Sequence, residues 1–171
     1  MTEEIDTRGY RPAVGAVLRR ADGLLLMAER IDLADVWQFP QGGVEPGESH
    51  EEALWRELGE ELGLEAPREA CAIVGRARPT RYEYPPTVSD ELSARFRGQE
   101  QVMYLLDFHG VDEDFQLDAH EIPEFKRVRW CTLEEARATI WSVKSELLEA
   151  LARDVPVLAR LVASPSTPPP L

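Results

Sequence analysis

The stretch from Gly42 to Leu64 constrains the fold most, because it specifies a helix whose two ends and both faces are defined by side-chain chemistry. Ser49 with Glu52 three residues on makes a capping box, Leu54, Leu58 and Leu62 form an apolar stripe at four-residue spacing, and Gly63 supplies the stop. The residues ahead of it, Gln41 to Gly47, include Gly42, Gly43, Pro46 and Gly47 and read as a loop without regular structure. The polar side of the helix holds Glu51, Glu52, Glu57, Glu60 and Glu61, with Arg56 as its strong cation. Glu57, Glu60 and Glu61 stand at i, i+3 and i+4, so three carboxylates share one face and repel. A divalent cation relieves that repulsion, and oxygen-only ligands select a hard ion such as Mg2+ or Mn2+. The alternative is a solvated charged face that does nothing chemical.

Around this helix the chain alternates strand-like and helix-like segments. Ala13 to Leu18 and Leu24 to Ala28 flank an Asp22-Gly23 turn and read as a β-hairpin. Trp37 to Pro40 is a further strand-like piece, and Ala72 to Ala77, Thr80 to Tyr84, Val102 to Phe108 and Phe125 to Trp130 have strand length and composition. Thr132 with Glu135 caps a short helix reaching about Thr139, and Leu147, Leu148 and Leu151 mark another from Ser145 to Arg153. Pro85 to Gln99 reads as a long connection, of the kind that carries function or moves. This order of elements implies an α/β or α+β layered domain with a mixed sheet.

A chain of 171 residues forms one domain, taken here as 9–163 between a flexible N-terminus (1–8) and a proline-rich, disordered tail (164–171). Its formal charge of −13 argues against a broad surface that tracks the phosphates of duplex nucleic acid. It does not exclude a polyphosphate, because bound cations reverse the local potential of a carboxylate cluster. Cys71 and Cys131 stand far apart in sequence, fit neither a disulfide framework nor a zinc site, and are expected in the core. The acidic start of the chain does not fit a signal peptide, and no apolar run approaches membrane-spanning length, so a cytoplasmic location without membrane contact is expected.

Gly42, Glu48, Arg56, Glu57, Leu58, Glu60, Glu61, Gly63 and Leu64 fall at the spacing of the Nudix box, and the agreement holds at all nine specified positions. The chain therefore resembles the Nudix hydrolases. The resemblance implies an α/β/α sandwich in which the box holds metal while water attacks a pyrophosphate linkage. It implies that Glu57, Glu60 and Glu61 are metal ligands, joined by the carbonyl of Gly42, with Glu57 also a candidate general base. Arg56 and Glu48 would order the box and Gly63 would shape it.

Outside the box, Gly9 to Gly15, Trp37 to Gly43, Gly98 to Gln101 and Pro123 to Phe125 resemble bacterial RNA pyrophosphohydrolases and the related dinucleoside polyphosphate hydrolases. That likeness implies Glu124 as a fourth carboxylate facing the metals, and Arg11, Arg30 and Lys144 as phosphate-binding cations. Tyr82 and Gln99 would lie on the substrate side. For each cation a solvated surface charge is the competing reading, and for Tyr82 an ordinary strand aromatic. Val143 departs from the pattern, since RNA-cleaving relatives carry an aromatic there that stacks on a base, and only Trp141 stands nearby as a substitute. The substrates implied are the triphosphorylated 5′ end of RNA, converted to a monophosphate with release of pyrophosphate, or a dinucleoside tetra-, penta- or hexaphosphate. An ADP-ribose or nucleotide-sugar hydrolase is a third reading, and from another class a non-catalytic nucleotide-binding module. Such modules lose box glutamates, and none is lost here.

Overall fold

The computed structural model describes residues 8–64 and 70–160. Residues 1–7 and 161–171, where most of the expected flexible N-terminus and the whole expected tail fall, lie outside the described residues. Eight strands form one mixed sheet. Its spine is β1 (Gly9–Arg19), which pairs along its length in parallel with β7 (Phe96–Phe108). β5 (Cys71–Arg76) and β6 (Thr80–Glu83) pair antiparallel with the far side of β7.

On its other side β1 meets β2 (Leu25–Arg30) beside the hairpin turn, at Arg19 opposite Leu25. Away from that turn the two strands take different partners. β3 (Trp37–Gln38) pairs with β2, β4 (Gln41–Gly43) pairs with β1, and β8 (Phe125–Cys131) takes the remaining edge of β2. The chain from Trp37 to Gly43 thus fills a split in the sheet between β1 and β2. Pro40 closes it from within, its carbonyl accepting the Ala16 N–H at 2.9 Å.

Strand alternation sorts the apolar side chains into two cores. Val14, Ala16, Leu18, Leu26, Ala28, Tyr104 and Leu106 pack under α1 (His50–Leu62) through Leu54, Leu58 and Leu62. Val17, Leu25, Met27, Met103 and Leu105 pack on the opposite face under α3 (Leu133–Thr139) and α4 (Ser145–Asp154), the latter through Leu147, Leu148 and Leu151. Helices on both faces of one sheet make the expected α/β sandwich. A short α5 (Val157–Arg160) ends the described chain, and Cys71 and Cys131 are free and buried, as expected.

Two expectations change. Gln41–Gly43 is a strand, because glycines there let the backbone pair with β1 while other side chains occupy the space a Cβ would need. The segment from Pro85 to Gln99 is not one connection: α2 (Asp90–Arg95) stands within it, and β7 begins at Phe96 because β1 already runs as strand from Gly9 and offers it a parallel partner.

Candidate active site

α1 begins and ends as its sequence dictates. Ser49 Oγ accepts the Glu52 N–H and the Glu52 carboxylate accepts the Ser49 N–H, while Gly63 closes the helix at a φ of 72°, in the left-handed region. A Cβ at Gly63 would stand 2.7 Å from Cβ of Gln116, whose own N–H bonds the Leu62 carbonyl, so the helix end is also the anchor of the loop that leads to Glu124.

Arg56 organises the acidic face. It donates to both oxygens of Glu48 at 2.8 and 3.0 Å, to Glu57 Oε1 at 2.7 Å and to the Gly43 carbonyl at 2.8 Å, and it reaches Glu60 at 3.5 Å. Glu48 in turn accepts the Glu45 N–H at 2.9 Å, which ties the turn before the helix to the same network. Glu57 lies against Gly42 so closely that any Cβ on Gly42 would overlap its carboxylate. Burial, opposed by Arg56 and reinforced by the charges of Glu60 and Glu124, raises the Glu57 pKa to about 7.

Glu61 is buried. One oxygen accepts the Gln41 N–H at 2.9 Å, the other has no hydrogen-bond partner, and burial together with the neighbouring Glu124 carboxylate pushes its pKa well above the ordinary carboxylate value. A buried acceptor left without a donor is costly, and it marks a place for a cation. Glu124 arrives from the start of β8, its carbonyl accepting the Ile31 N–H at 2.9 Å. Among the described residues no three acids, histidines or cysteines stand as a ready-made metal cage.

The cations and polar groups come from the other side of the split. Arg11, Gln99 and Tyr82 are in register across β1, β7 and β6, so they form one row. Tyr82 donates to Gln99 Oε1 at 2.6 Å, and its hydroxyl pKa is raised by burial against the pull of Arg11 and Arg30. The Arg11 guanidinium lies over Gly43, in the space its side chain would fill. Arg30 is held by Asp32 through two hydrogen bonds at 2.8 and 2.6 Å, with its guanidinium 5.9 Å from the Trp141 ring centre. Lys144, from a 3-10 turn at Ser142–Lys144, is buried. Burial first and Arg30 second depress its pKa to about 7, against the attraction of Glu61 and Glu124. The acids of one layer and the cations of the other therefore act on each other's charge through the split.

Two contributors to this site carry no conspicuous sequence signal. Gln38 is buried and accepts a hydrogen bond from Lys144 Nζ at 3.1 Å, and Gln41 acts through its backbone N–H on Glu61. Only their place in the Trp-Gln-Phe-Pro-Gln-Gly-Gly block marked them.

A profile of the NUDIX domain matches residues 9–151. The chain belongs to the Nudix family. An RNA pyrophosphohydrolase of Erythrobacter litoralis (strain HTCC2594) is 38% identical to this Nudix protein over 148 residues, spanning 85% of this chain and 90% of its own. Another from Acidiphilium cryptum (strain JF-5) is 40% identical over 150 residues, spanning 85% and 89%. Solved structures share the fold: a C. elegans Ap4A hydrolase binary complex has a TM-score of 0.62 at 23% identity, covering 84% of this chain and 96% of that one. The E. coli dihydroneopterin triphosphate pyrophosphohydrolase has a TM-score of 0.63 at 22% identity, covering 88% and 99%. As a Nudix protein the chain is a metal-dependent, nucleotide-binding hydrolase of pyrophosphate bonds. Among the described residues no helix is long and apolar enough to cross a membrane.

Proposed function

We propose that the protein hydrolyses the triphosphate at the 5′ end of RNA, releasing pyrophosphate and leaving a 5′-monophosphate, with Mg2+ as cofactor and Mn2+ as a substitute. The observation that carries this reading is the meeting, at the split in the sheet, of an acidic face with three cations, all partly or wholly withdrawn from solvent. A polyphosphate bridged by metal satisfies both sets at once. The RNA pyrophosphohydrolase relatives, at 38 and 40% identity, support RNA as the carrier of that polyphosphate.

Glu57, Glu60, Glu61 and Glu124 would hold the ion with the Gly42 carbonyl, and the buried, unpartnered oxygen of Glu61 fits that role. Mg2+ uses a few carboxylates and completes its shell with water and phosphate oxygens, so a closed protein cage is not required. When bound, the ion supplies charge neutralisation at the phosphoryl oxygens and a lowered pKa for the attacking water. Arg56 and Glu48 hold Glu57 in place, which leaves it directed to accept the proton of that water. Arg11, Arg30 and Lys144 bind phosphate oxygens, while Tyr82 and Gln99 border the nucleotide.

Val143 favours a second reading. Without an aromatic at this position, stacking on the base that follows the first nucleotide, worth about 1–3 kcal/mol, falls to Trp141 or Tyr82 or is lost, which moves preference toward a dinucleoside polyphosphate. The test compares kcat/KM for triphosphorylated RNA and for a dinucleoside tetraphosphate at one salt concentration, in the wild type and in Val143→Phe. RNA preference in the wild type, with a further gain confined to RNA in the variant, supports the first reading. Preference for the dinucleotide with equal change on both substrates supports the second.

A further inference from the structure

We infer that Gln38 is a positioning residue for the reaction, its side-chain carbonyl holding the Lys144 ammonium in the split of the sheet where the polyphosphate lies. The inference rests on the assignment of Lys144 to phosphate made above.

Lys144 is rooted in the wrong layer for the acids it serves. It closes the 3-10 turn ahead of α4, the helix that packs on Met103 and Leu105, whereas Glu57 and Glu61 belong to the layer beneath Val14 and Ala16. Gln38 bridges that difference. It pairs across β3 and β2 with Ala28, which packs in the α1 core, while its neighbours Trp37 and Phe39 pack in the α4 core. Alternation therefore turns Gln38 toward the α1 layer, and its Oε1 accepts from Lys144 Nζ at 3.1 Å with the two residues only 1% and 4% exposed.

The main chain makes the same connection one residue away. The Trp141 N–H bonds the Trp37 carbonyl at 3.0 Å, and the Lys144 N–H bonds the Trp141 carbonyl at 2.8 Å. The root of the lysine is thus fixed to β3 through Trp37, and its tip is fixed to β3 through Gln38. Between root and tip lie four methylenes with several rotamers, and the like charge of Arg30 favours conformations that turn the ammonium away. The Trp141 ring, 5.6 Å from Nζ, covers one side of the ammonium without fixing its direction. Gln38 Oε1 supplies that direction, and an ammonium with three donors keeps others for phosphate oxygens.

The experiment is a double-mutant cycle on the full chain with Gln38→Met, which keeps length and removes the acceptor, Lys144→Met, and the pair, read as kcat and KM on triphosphorylated RNA with Mg2+. Gln38→Asn, which retains polarity but draws the acceptor back by one methylene, serves if the Met variant does not fold. Inorganic tripolyphosphate serves as a competitive inhibitor that reports binding apart from turnover. The expected result is a loss of about tenfold in kcat/KM for either Gln38 variant, a parallel rise in the tripolyphosphate inhibition constant, and a double variant no worse than Lys144→Met alone. Losses that multiply in the double variant overturn the inference, because Gln38 would then act apart from Lys144. So does a lowered melting temperature with unchanged kcat/KM, which is the signature of a residue that only satisfies a buried charge. Unchanged kinetics in Lys144→Met removes the phosphate role of Lys144 and the inference with it. A damaged Lys144→Met beside active Gln38 variants removes the inference alone.

Discussion

At the residue scale Arg56 organises the acidic face of α1. Its guanidinium bonds Glu48, Glu57 and the Gly43 carbonyl together, so it sets the direction in which Glu57 points. The cations opposite have a simpler task. Arg11→Ala and Lys144→Ala are each expected to lower kcat/KM by roughly 10–100-fold, the worth of a hydrogen bond to a charged group at about 1.5–3 kcal/mol, without changing metal affinity. Steady-state kinetics with a parallel Mg2+ titration checks this, and unchanged kcat/KM in both variants on triphosphorylated RNA and on a dinucleoside tetraphosphate removes them from the site. Arg11 was readable from its block, but its resting place over Gly43 was not, because that contact joins residues 32 positions apart through strand pairing.

At the scale of elements, α1 was legible to its last residue and β4 was not, and the difference is physical. The capping box and the Gly63 stop are local, so sequence spacing determines them. The pairing of Gln41–Gly43 with β1 and of Phe96–Gln99 with Gly9–Arg11 depends on distant partners, which no local composition reveals. Gly63→Ala tests the helix end. A left-handed residue costs about 1–2 kcal/mol in a non-glycine and the new Cβ meets Gln116, so the melting temperature should fall by roughly 3–8 °C. A fall below about 1 °C would show that the end is not constrained.

The acidic face of α1 also gives the metal-free protein a characteristic pH dependence. Glu57 titrates at about 7 folded against 4.5 in its ordinary state, so between those values the folded chain holds more protons and stability falls as pH rises. Lys144 titrates at about 7 folded against an ordinary 10.5, so above about 7 the folded chain holds fewer protons and stability rises with pH. Glu61, also raised, adds to the loss on the acid side of neutrality, so the metal-free protein should lose stability as pH rises from about 4.5 to about 7. Mg2+ requires deprotonated carboxylates, so its stabilisation should be larger at about pH 8 than at about pH 5.5, and Glu57→Gln should shrink the difference. Thermal melts with and without Mg2+ at both pH values decide it, and an equal Mg2+ effect at the two would contradict the assignment.

For the whole molecule, one arrangement accounts for both fold and chemistry: a sheet split between β1 and β2, with carboxylates from α1 and the start of β8 and cations from β1, β2 and the turn ahead of α4. The box alone specifies half of that site. Lys144 and Gln38 meet only because β1 and β2 part and β3 and β4 fill the gap, which is a property of the assembled sheet. The most direct test of the account is pyrophosphate release from 5′-triphosphorylated RNA by the wild type and by Glu60→Gln, each with Mg2+ and with a chelator. Glu60 is the right position to change, because it shares the acidic face yet its contact with Arg56 is the long one, at 3.5 Å, so the Gln variant should fold normally. The account predicts release that depends on Mg2+ in the wild type and falls by orders of magnitude in the variant with an unchanged melting curve. It is contradicted if Glu60→Gln retains more than about a tenth of wild-type activity, a barrier change under about 1.4 kcal/mol, or if the wild type releases pyrophosphate equally well under chelation.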